Sequence, residues 1–284
     1  VTRNNPYLFK TFLFENNVEE VLDLLKIEKY DAVIDLHHNF RTLKVKRALG
    51  VPSHSFDKLN IQKWLAVNFK TKSLPDKDIV DRYLETVSSY GVKNDGEGLD
   101  YFITTDDEKI ISTLPPAFQN GYIAWVIGAK HATKQLPLQK MIEIAKKIKM
   151  PVILLGGKED VQRGIEIVSQ FSVPVIDGCG KFSLNQSAAI VKHSHHVISH
   201  DTGLMHIAAA YRKKIVSVWG NTIPEFGMYP YLPKALHTNN KIFEIRNLSC
   251  RPCSKIGFDK CPRGHFKCMN LQDAGAIADA YIDS

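Results

Sequence analysis

The sequence has few cysteines, almost no acid in one long stretch, and no extended apolar run. Five cysteines occur in 284 residues, four of them between Cys250 and Cys268. That is too few for a disulfide scaffold, and a reducing, cytosolic setting is expected. No apolar run reaches the roughly 18 residues that cross a bilayer, which argues against an integral helical membrane protein. The opening residues Val1 to Pro6 have neither the charged start nor the apolar core of a secretory signal. No G-x-G-x-x-G follows a strand-like run and no P-loop lysine motif is present, so dehydrogenase and NTPase readings lose their main support.

What is present is a soluble-type composition, 44% hydrophobic and 24% charged, with a net charge of +7. The length suits two domains. Much of the positive excess is local. Between Phe40 and Lys72 the bases Arg41, Lys44, Lys46, Arg47, Lys58, Lys63, Lys70 and Lys72 face one acid, Asp57. Such a stretch suits a phosphate-rich partner, or it is a solvated lysine-rich face.

Strand-like and helix-like patterns alternate, as expected for parallel sheets covered by helices. The first part predicts strands over Thr11–Phe14, Asp31–Leu36 and Leu99–Thr104. Its predicted helices are Val18–Lys29, Arg41–Leu49 ended by Gly50, Ile61–Phe69, and Ile79–Tyr90 closed by Gly91. Pro115-Pro116 blocks a continuing helix and sets the expected boundary between domains 1–116 and 117–284.

The second part predicts strands at Tyr122–Ile127, Val152–Leu155, Val173–Ile176, His196–Ser199 and Ile215–Trp219. Between them fall the predicted helices Leu138–Ile148, Asp160–Phe171, Leu184–Lys192 and Leu204–Tyr211. A last helix over Asp273–Ile282 is expected to cross back toward the first domain. In a doubly wound sheet the loops after the strands gather at one edge, where ligands bind. Those loops are Gly128–Lys134, Gly156–Glu159, Asp177–Lys181, His200–Gly203 and Gly220–Glu225.

In the fourth loop, Asp201-Thr202-Gly203 opens a helix whose free amides and dipole suit a diphosphate, and Gly203 permits close approach. Asp and Thr are also ordinary helix caps, which is the bland reading of the same residues. His206 lies on the same helix and faces either the cleft or the core. Lys134 offers a cation for phosphate, or is simply exposed. Gly156-Gly157 makes a tight turn, and Glu159 either accepts from sugar hydroxyls or serves as an acid in a first helical turn.

Taken in order, a Lys before a Pro, Gly-Gly with Glu, and Asp201-Thr202-Gly203-Leu204-Met205-His206 resemble glycosyltransferase family 9, the ADP-heptose:lipopolysaccharide heptosyltransferases. Tyr30-Asp31-Ala32-Val33-Ile34-Asp35 and Ser217-Val218-Trp219-Gly220-Asn221-Thr222 extend the resemblance over nearly the whole chain. It implies an α/β fold of GT-B type, with two Rossmann-like doubly wound domains facing across a cleft.

It further implies a donor site for ADP-heptose at Thr133, Lys134, Gly157, Glu159, Asp201, Thr202, Gly203 and His206. Arg41, Lys44 and Lys46 would face a lipopolysaccharide core acceptor, at the inner face of the cytoplasmic membrane. The family's general base, an Asp in a Gly-Asp turn after the first strand, is expected upstream of Val1. His37-His38-Asn39 departs from the family's more usual Gln-Gly and leaves the acceptor open.

Three alternatives stand beside this reading. Cys250, Cys253, Cys261 and Cys268, with His265 near, carry zinc-ligand chemistry, but Cys261 and Cys268 are seven apart and do not form a close doublet. The resemblance implies a transfer without a protein-bound metal or cofactor, and no Asp-x-Asp motif lies in the donor loops. A nucleic-acid-binding protein would interleave aromatics with the basic stretch, whereas Trp64 and Phe69 fit an apolar helix face. A non-catalytic sugar-binding remnant is the third.

Overall fold

The computed structural model describes residue 2 and residues 4–281. The readings placed on Val1, Arg3 and Ile282 lie outside them. Two parallel sheets organise the chain. The first pairs β1 (Val33–Asp35) with β2 (Ser53–Ser55). The second has six strands: β3 (Ile123–Val126), β4 (Val152–Leu155), β5 (Val175–Asp177), β6 (His196–His200), β7 (Lys214–Trp219) and β8 (Asn240–Glu244), in the order β5-β4-β3-β6-β7-β8.

Renumbered from its own first strand, that order is 3-2-1-4-5-6, the Rossmann arrangement, with its switch point between β3 and β6. Strand β3 shows why the sheet is covered on both sides. Ile123, Trp125 and Ile127 point into one core with Met141, Ile144, Ile167 and Ile277. Ala124 and Val126 point into the other with Ile190, Met205, Ala208 and Trp219. Continuous apolar strands of this kind are what a parallel sheet buried on both faces requires.

The helices are α1 (Leu22–Ile27), α2 (Phe40–Leu49), α3 (Asn60–Phe69), α4 (Ile79–Glu85), α5 (Thr105–Ser112) and α6 (Leu138–Ala145). They continue with α7 (Val161–Val168), α8 (Leu184–His193), α9 (Gly203–Ala210), α10 (Lys267–Asn270) and α11 (Ala274–Asp279). Gly50 and Gly91 close their elements in the left-handed region, φ 65° and 76°, as their positions after basic and aromatic helix ends predict.

Several expectations are corrected. Thr11–Phe14 and Leu99–Thr104 form no strand. Leu13 stands exposed in solvent, and Tyr101 instead lies across the second sheet's helices, donating to Asn185 Oδ1 at 3.0 Å. Helix α11 packs on α6 and buries Ile277 in the core shared with Ile123 and Trp125, rather than crossing to the first half. Helix α5, closed by a Thr104–Asp107 capping box, packs on α8 although it precedes Pro115.

Candidate active site at the sheet switch point

The loops leaving β3 and β6 meet where the strand order reverses. After β3 the chain makes a short 3-10 turn, Ala132–Lys134, before Pro137 starts α6. Three bonds fix that turn. Leu136 N donates to His200 Nε2 at 3.0 Å, tying it to the end of β6. Thr133 Oγ1 donates to Phe258 O at 3.0 Å and accepts from Phe258 N at 2.8 Å, tying it to the cysteine-rich loop. The His200 imidazole is wholly buried, and burial, with the Arg163 charge, pushes it down to about 3. It is therefore neutral, as an acceptor from an amide must be.

The turn delivers Lys134 to Asp201. Lys134 Nζ lies 2.6 Å from Asp201 Oδ2, the two side chains being 16% and 9% exposed. Thr222 Oγ1, from the loop after β7, donates to the same Asp201 oxygen at 2.9 Å. Three loops thus converge on one carboxylate.

The helix behind it, α9, starts without a cap. Thr202 is in extended conformation at the N-cap position, and its side chain makes no capping bond. Asp201 is engaged with Lys134 and Thr222. Neither Asp201 nor Thr202 therefore caps α9 through its side chain. A Cβ placed on Gly203 would meet nothing within 4 Å, so the space in front of the helix start is open. His206, one turn further, is half-buried, and burial lowers its imidazole against the opposing pull of Asp201.

The Gly-Gly turn after β4 is shaped by a residue the sequence reading did not single out. Asp160 is buried, accepts from Gly157 N at 2.9 Å, and lies where a Cβ on Gly128 would come within 2.0 Å of its Oδ2. Burial raises its carboxyl above the ordinary value. The Gly-x-x-x-Asp spacing was the available signal. Glu159 is exposed, its carboxylate lying over Gly157.

Opposite these loops the first half closes a cleft of about 240 Å³. Phe56, Lys58, Asn60, Lys63 and Ile79 line it from one side; Lys134, Asp201, Thr222 and Phe226 line it from the other. Lys255 and Ile256 of the cysteine-rich loop complete it. Lys63 packs over the Phe226 ring at 5.8 Å, and burial, then the Arg82 and Lys255 charges, lowers it to about 8.

None of Arg41, Lys44 and Lys46 lines this cleft. Lys46 is spent inside the first sheet, 3.0 Å from the buried Asp35 and 2.8 Å from Ser55 Oγ. Lys44 pairs with Glu19, and Arg41 is exposed. The first half's cations at the cleft are instead Lys58 and Lys63, from the same basic stretch. The sequence located the stretch but not which face turns inward.

Trp64 and Phe69 also differ from expectation. They are exposed and pack edge to face against each other at 5.4 Å, rather than lying on a buried helix face.

The four clustered cysteines are free thiols, and among the described residues no group of three or more His, Cys, Asp or Glu has metal-holding geometry. Burial pushes Cys253 up to about 11 and Cys268 up to about 12.

The fold is thus an α/β arrangement with a Rossmann-type second sheet and a cleft at its switch point. A family model for glycosyltransferase family 9 (heptosyltransferase) matches residues 20–259, and the chain belongs to that family. Lipopolysaccharide heptosyltransferase 1 of Campylobacter coli is 24% identical over 275 residues, covering 87% of this chain and 80% of the relative. Lipopolysaccharide heptosyltransferase 2 of Escherichia coli (strain K12) is 22% identical over 222 residues. That match covers 71% of this chain and 63% of the relative, so the chain spans less than two thirds of it.

Two solved structures carry the fold. A family 9 glycosyl transferase from Veillonella parvula DSM 2008 superposes with a TM-score of 0.70 at 21% identity, covering 94% of this chain and 78% of its own. The E. coli ADP-heptose lps heptosyltransferase II gives 0.61 at 19% identity, covering 89% and 80%.

Proposed function

We propose that the chain transfers a heptose from ADP-heptose to a lipopolysaccharide core acceptor. The observation that carries this reading is the uncapped start of α9, with Lys134 beside it at the sheet's switch point. In the transfer, the acceptor hydroxyl oxygen attacks the anomeric carbon and the bond from that carbon to the diphosphate breaks. ADP departs with the bonding electrons, and the acceptor hydroxyl gives its proton to a general base. Lys134 and the first amides of α9 would stabilise that developing charge. Asp201 holds Lys134 in place, and Thr222 holds Asp201. Thr133 and His200 act as positioning residues for the Lys134 turn. Gly203 leaves room for the diphosphate, while Glu159 and Gly157 border the donor loops.

The proposed division is an acceptor-side unit, residues 1–116, and a donor-side unit, residues 117–284, with α5 reaching across it. Lys58 and Lys63 are the acceptor-side cations at the cleft. The family's general base has no counterpart among the cleft-lining carboxylates, of which Asp201 is the single one. No helix is long and apolar enough to cross a membrane among the described residues. Cytoplasmic placement with peripheral contact to the inner membrane face is part of the proposal, supported by exposed Trp64 and Phe69 near Lys70 and Lys72.

The test is a thermal-shift series with ADP, UDP and GDP. ADP is expected to stabilise the protein most, because a ligand bound only to the native state raises its melting temperature. A shift with UDP or GDP and none with ADP would overturn the donor assignment.

A further inference from the structure

The cysteine-rich loop holds chemistry that the transfer does not use. In Cys250-Arg251-Pro252-Cys253 the Cys253 thiol donates to Cys250 O at 2.9 Å, and it is also in hydrogen-bonding contact with the Cys250 thiol. Both are half-buried, whereas Cys179 and Cys268 are buried. Two thiols in contact across a Cys-x-x-Cys spacing have the arrangement of dithiol redox motifs.

The two thiols are not equivalent. Cys250 Sγ lies 3.8 Å from His265 Nε2. The Lys267 amide donates to His265 Nδ1 at 3.1 Å, so the neutral ring carries its proton on Nε2, facing the sulfur. An N–H in that position favours a thiolate on Cys250. Burial, and then the neighbouring Cys250, instead raises the Cys253 thiol. Cys250 is therefore the attacking sulfur and Cys253 the resolving one.

The residues between them reach the donor pair. Arg251 donates through Nε to Gly220 O at 2.6 Å and through Nη2 to Thr222 O at 2.9 Å, and Thr222 in turn holds Asp201. Cys253 N donates to Asn221 O at 3.1 Å, and Pro252 O accepts from Lys70 Nζ at 2.7 Å. Joining the two sulfurs takes Cys253 Sγ off the Cys250 carbonyl and turns the Arg251-Pro252 unit that these bonds hold.

We propose that Cys250 and Cys253 form a thiol–disulfide exchange site, oxidised by a low-molecular-weight disulfide, and that its oxidation weakens the donor site through Arg251 and Thr222. The link to the donor site rests on the glycosyl-transfer reading above. Cys250, its proton released to water, attacks one sulfur of the small disulfide. That S–S bond breaks, and one half leaves as a thiolate that takes up a proton. Cys253, losing its own proton, then attacks Cys250 Sγ and displaces the second half in the same way. Two protein thiols are oxidised to one disulfide, and one small disulfide is reduced to two thiols.

The experiment equilibrates the full chain in glutathione mixtures of rising oxidised fraction and alkylates the thiols that remain. It then reads the tryptic peptide Asn247–Lys255, which contains Cys250, Cys253 and no other cysteine. Both are expected to be protected together and freed by dithiothreitol, and Cys253→Ser is expected to stop at a glutathione adduct on Cys250. His265→Ala is expected to form the disulfide several-fold more slowly. Calorimetric titration is expected to show ADP binding about 10-fold more weakly to the oxidised chain than to the reduced one, with no such difference in the double variant Cys250→Ser, Cys253→Ser. Full alkylation at every mixture, a disulfide to Cys261 or Cys268 instead, an unchanged rate in His265→Ala, or equal ADP affinity in the two states overturns the proposal. Absence of ADP binding in the reduced chain, with the disulfide forming as described, would instead overturn the donor reading and leave the exchange site standing.

Discussion

The molecule contains two Lys–Asp pairs that resemble each other closely and do different work. Lys46 and Asp35 are 3.0 Å apart, 15% and 0% exposed, at the end of β1. Lys134 and Asp201 are 2.6 Å apart, 16% and 9% exposed, just beyond β6. Distance and burial do not separate them; what surrounds each carboxylate does.

Asp35 is saturated, accepting from the amides of His37 and His38 at 3.1 and 2.6 Å and from Ser55. Burial pushes its carboxyl up, but these bonds, with Lys46 and Thr42, outweigh burial and leave it below the ordinary carboxylate value. That is a structural pair, and a poor general base. Asp201 borders an open cleft and an uncapped helix instead. In the transfer proposed above, this pair turns its cation toward the departing diphosphate.

The largest effect expected from breaking this contrast is on transfer. Lys134→Ala should lower kcat/KM by about 100-fold, the scale of losing one transition-state charge donor. Steady-state kinetics beside a thermal melt would check it; a normal rate would end the leaving-group role.

Next comes Asp35→Asn, expected to cost about 3 kcal/mol of stability, the scale for removing one partner of a buried pair. The sign of its pH dependence follows from the lowered value. The stability that Asp35 confers is complete above about pH 4, the ordinary range, and is lost as pH falls through its folded-state value. Chemical denaturation between pH 2 and 6 should therefore show a steeper acid loss in the unaltered protein than in the variant.

Gly203→Ala sharpens the contrast further. The added methyl meets no protein atom, and alanine favours a helix by up to about 1 kcal/mol over glycine, so stability should hold or rise. ADP affinity should nevertheless fall about 10-fold, an estimate for one obstructed phosphate contact. Unchanged affinity would mean that the diphosphate lies elsewhere.

The smallest effect concerns a third carboxylate. Asp78 caps α4 through Val80 N, but its Oδ2 is buried without a partner, and burial pushes it up to about 7. Here the sign reverses: the folded state holds the proton, so stability declines as pH rises from about 4 to about 7. Asp78→Asn keeps the cap and removes the charge. It should flatten that decline and add about 1 kcal/mol at pH 8. A melt series across that range would read it.

How much of this was legible in the sequence follows from the same physics. The second sheet was, because strands buried on both faces read as unbroken apolar runs such as Val152–Leu155. Strand β8 was not, since an edge strand of Asn-Lys-Ile-Phe-Glu lacks that signature, and β2, Ser-His-Ser, lacks it further. The Asp201-Thr202-Gly203 motif marked the loop, and only the fold showed that Asp201 pairs with Lys134 and Thr222 instead of capping α9. Lys46 shows the limit: a basic stretch gives charge in sequence, and only the fold divides it into Lys46 inside and Lys63 at the cleft.

The contrast between the pairs is tested most directly by titrating ADP into Lys134→Ala and Lys46→Ala while following their melting temperatures. The account expects Lys134→Ala to lose at least about 10-fold in ADP affinity, and Lys46→Ala to keep its affinity with a lowered melt. Unimpaired ADP binding by Lys134→Ala, or equal losses in both variants, would contradict it.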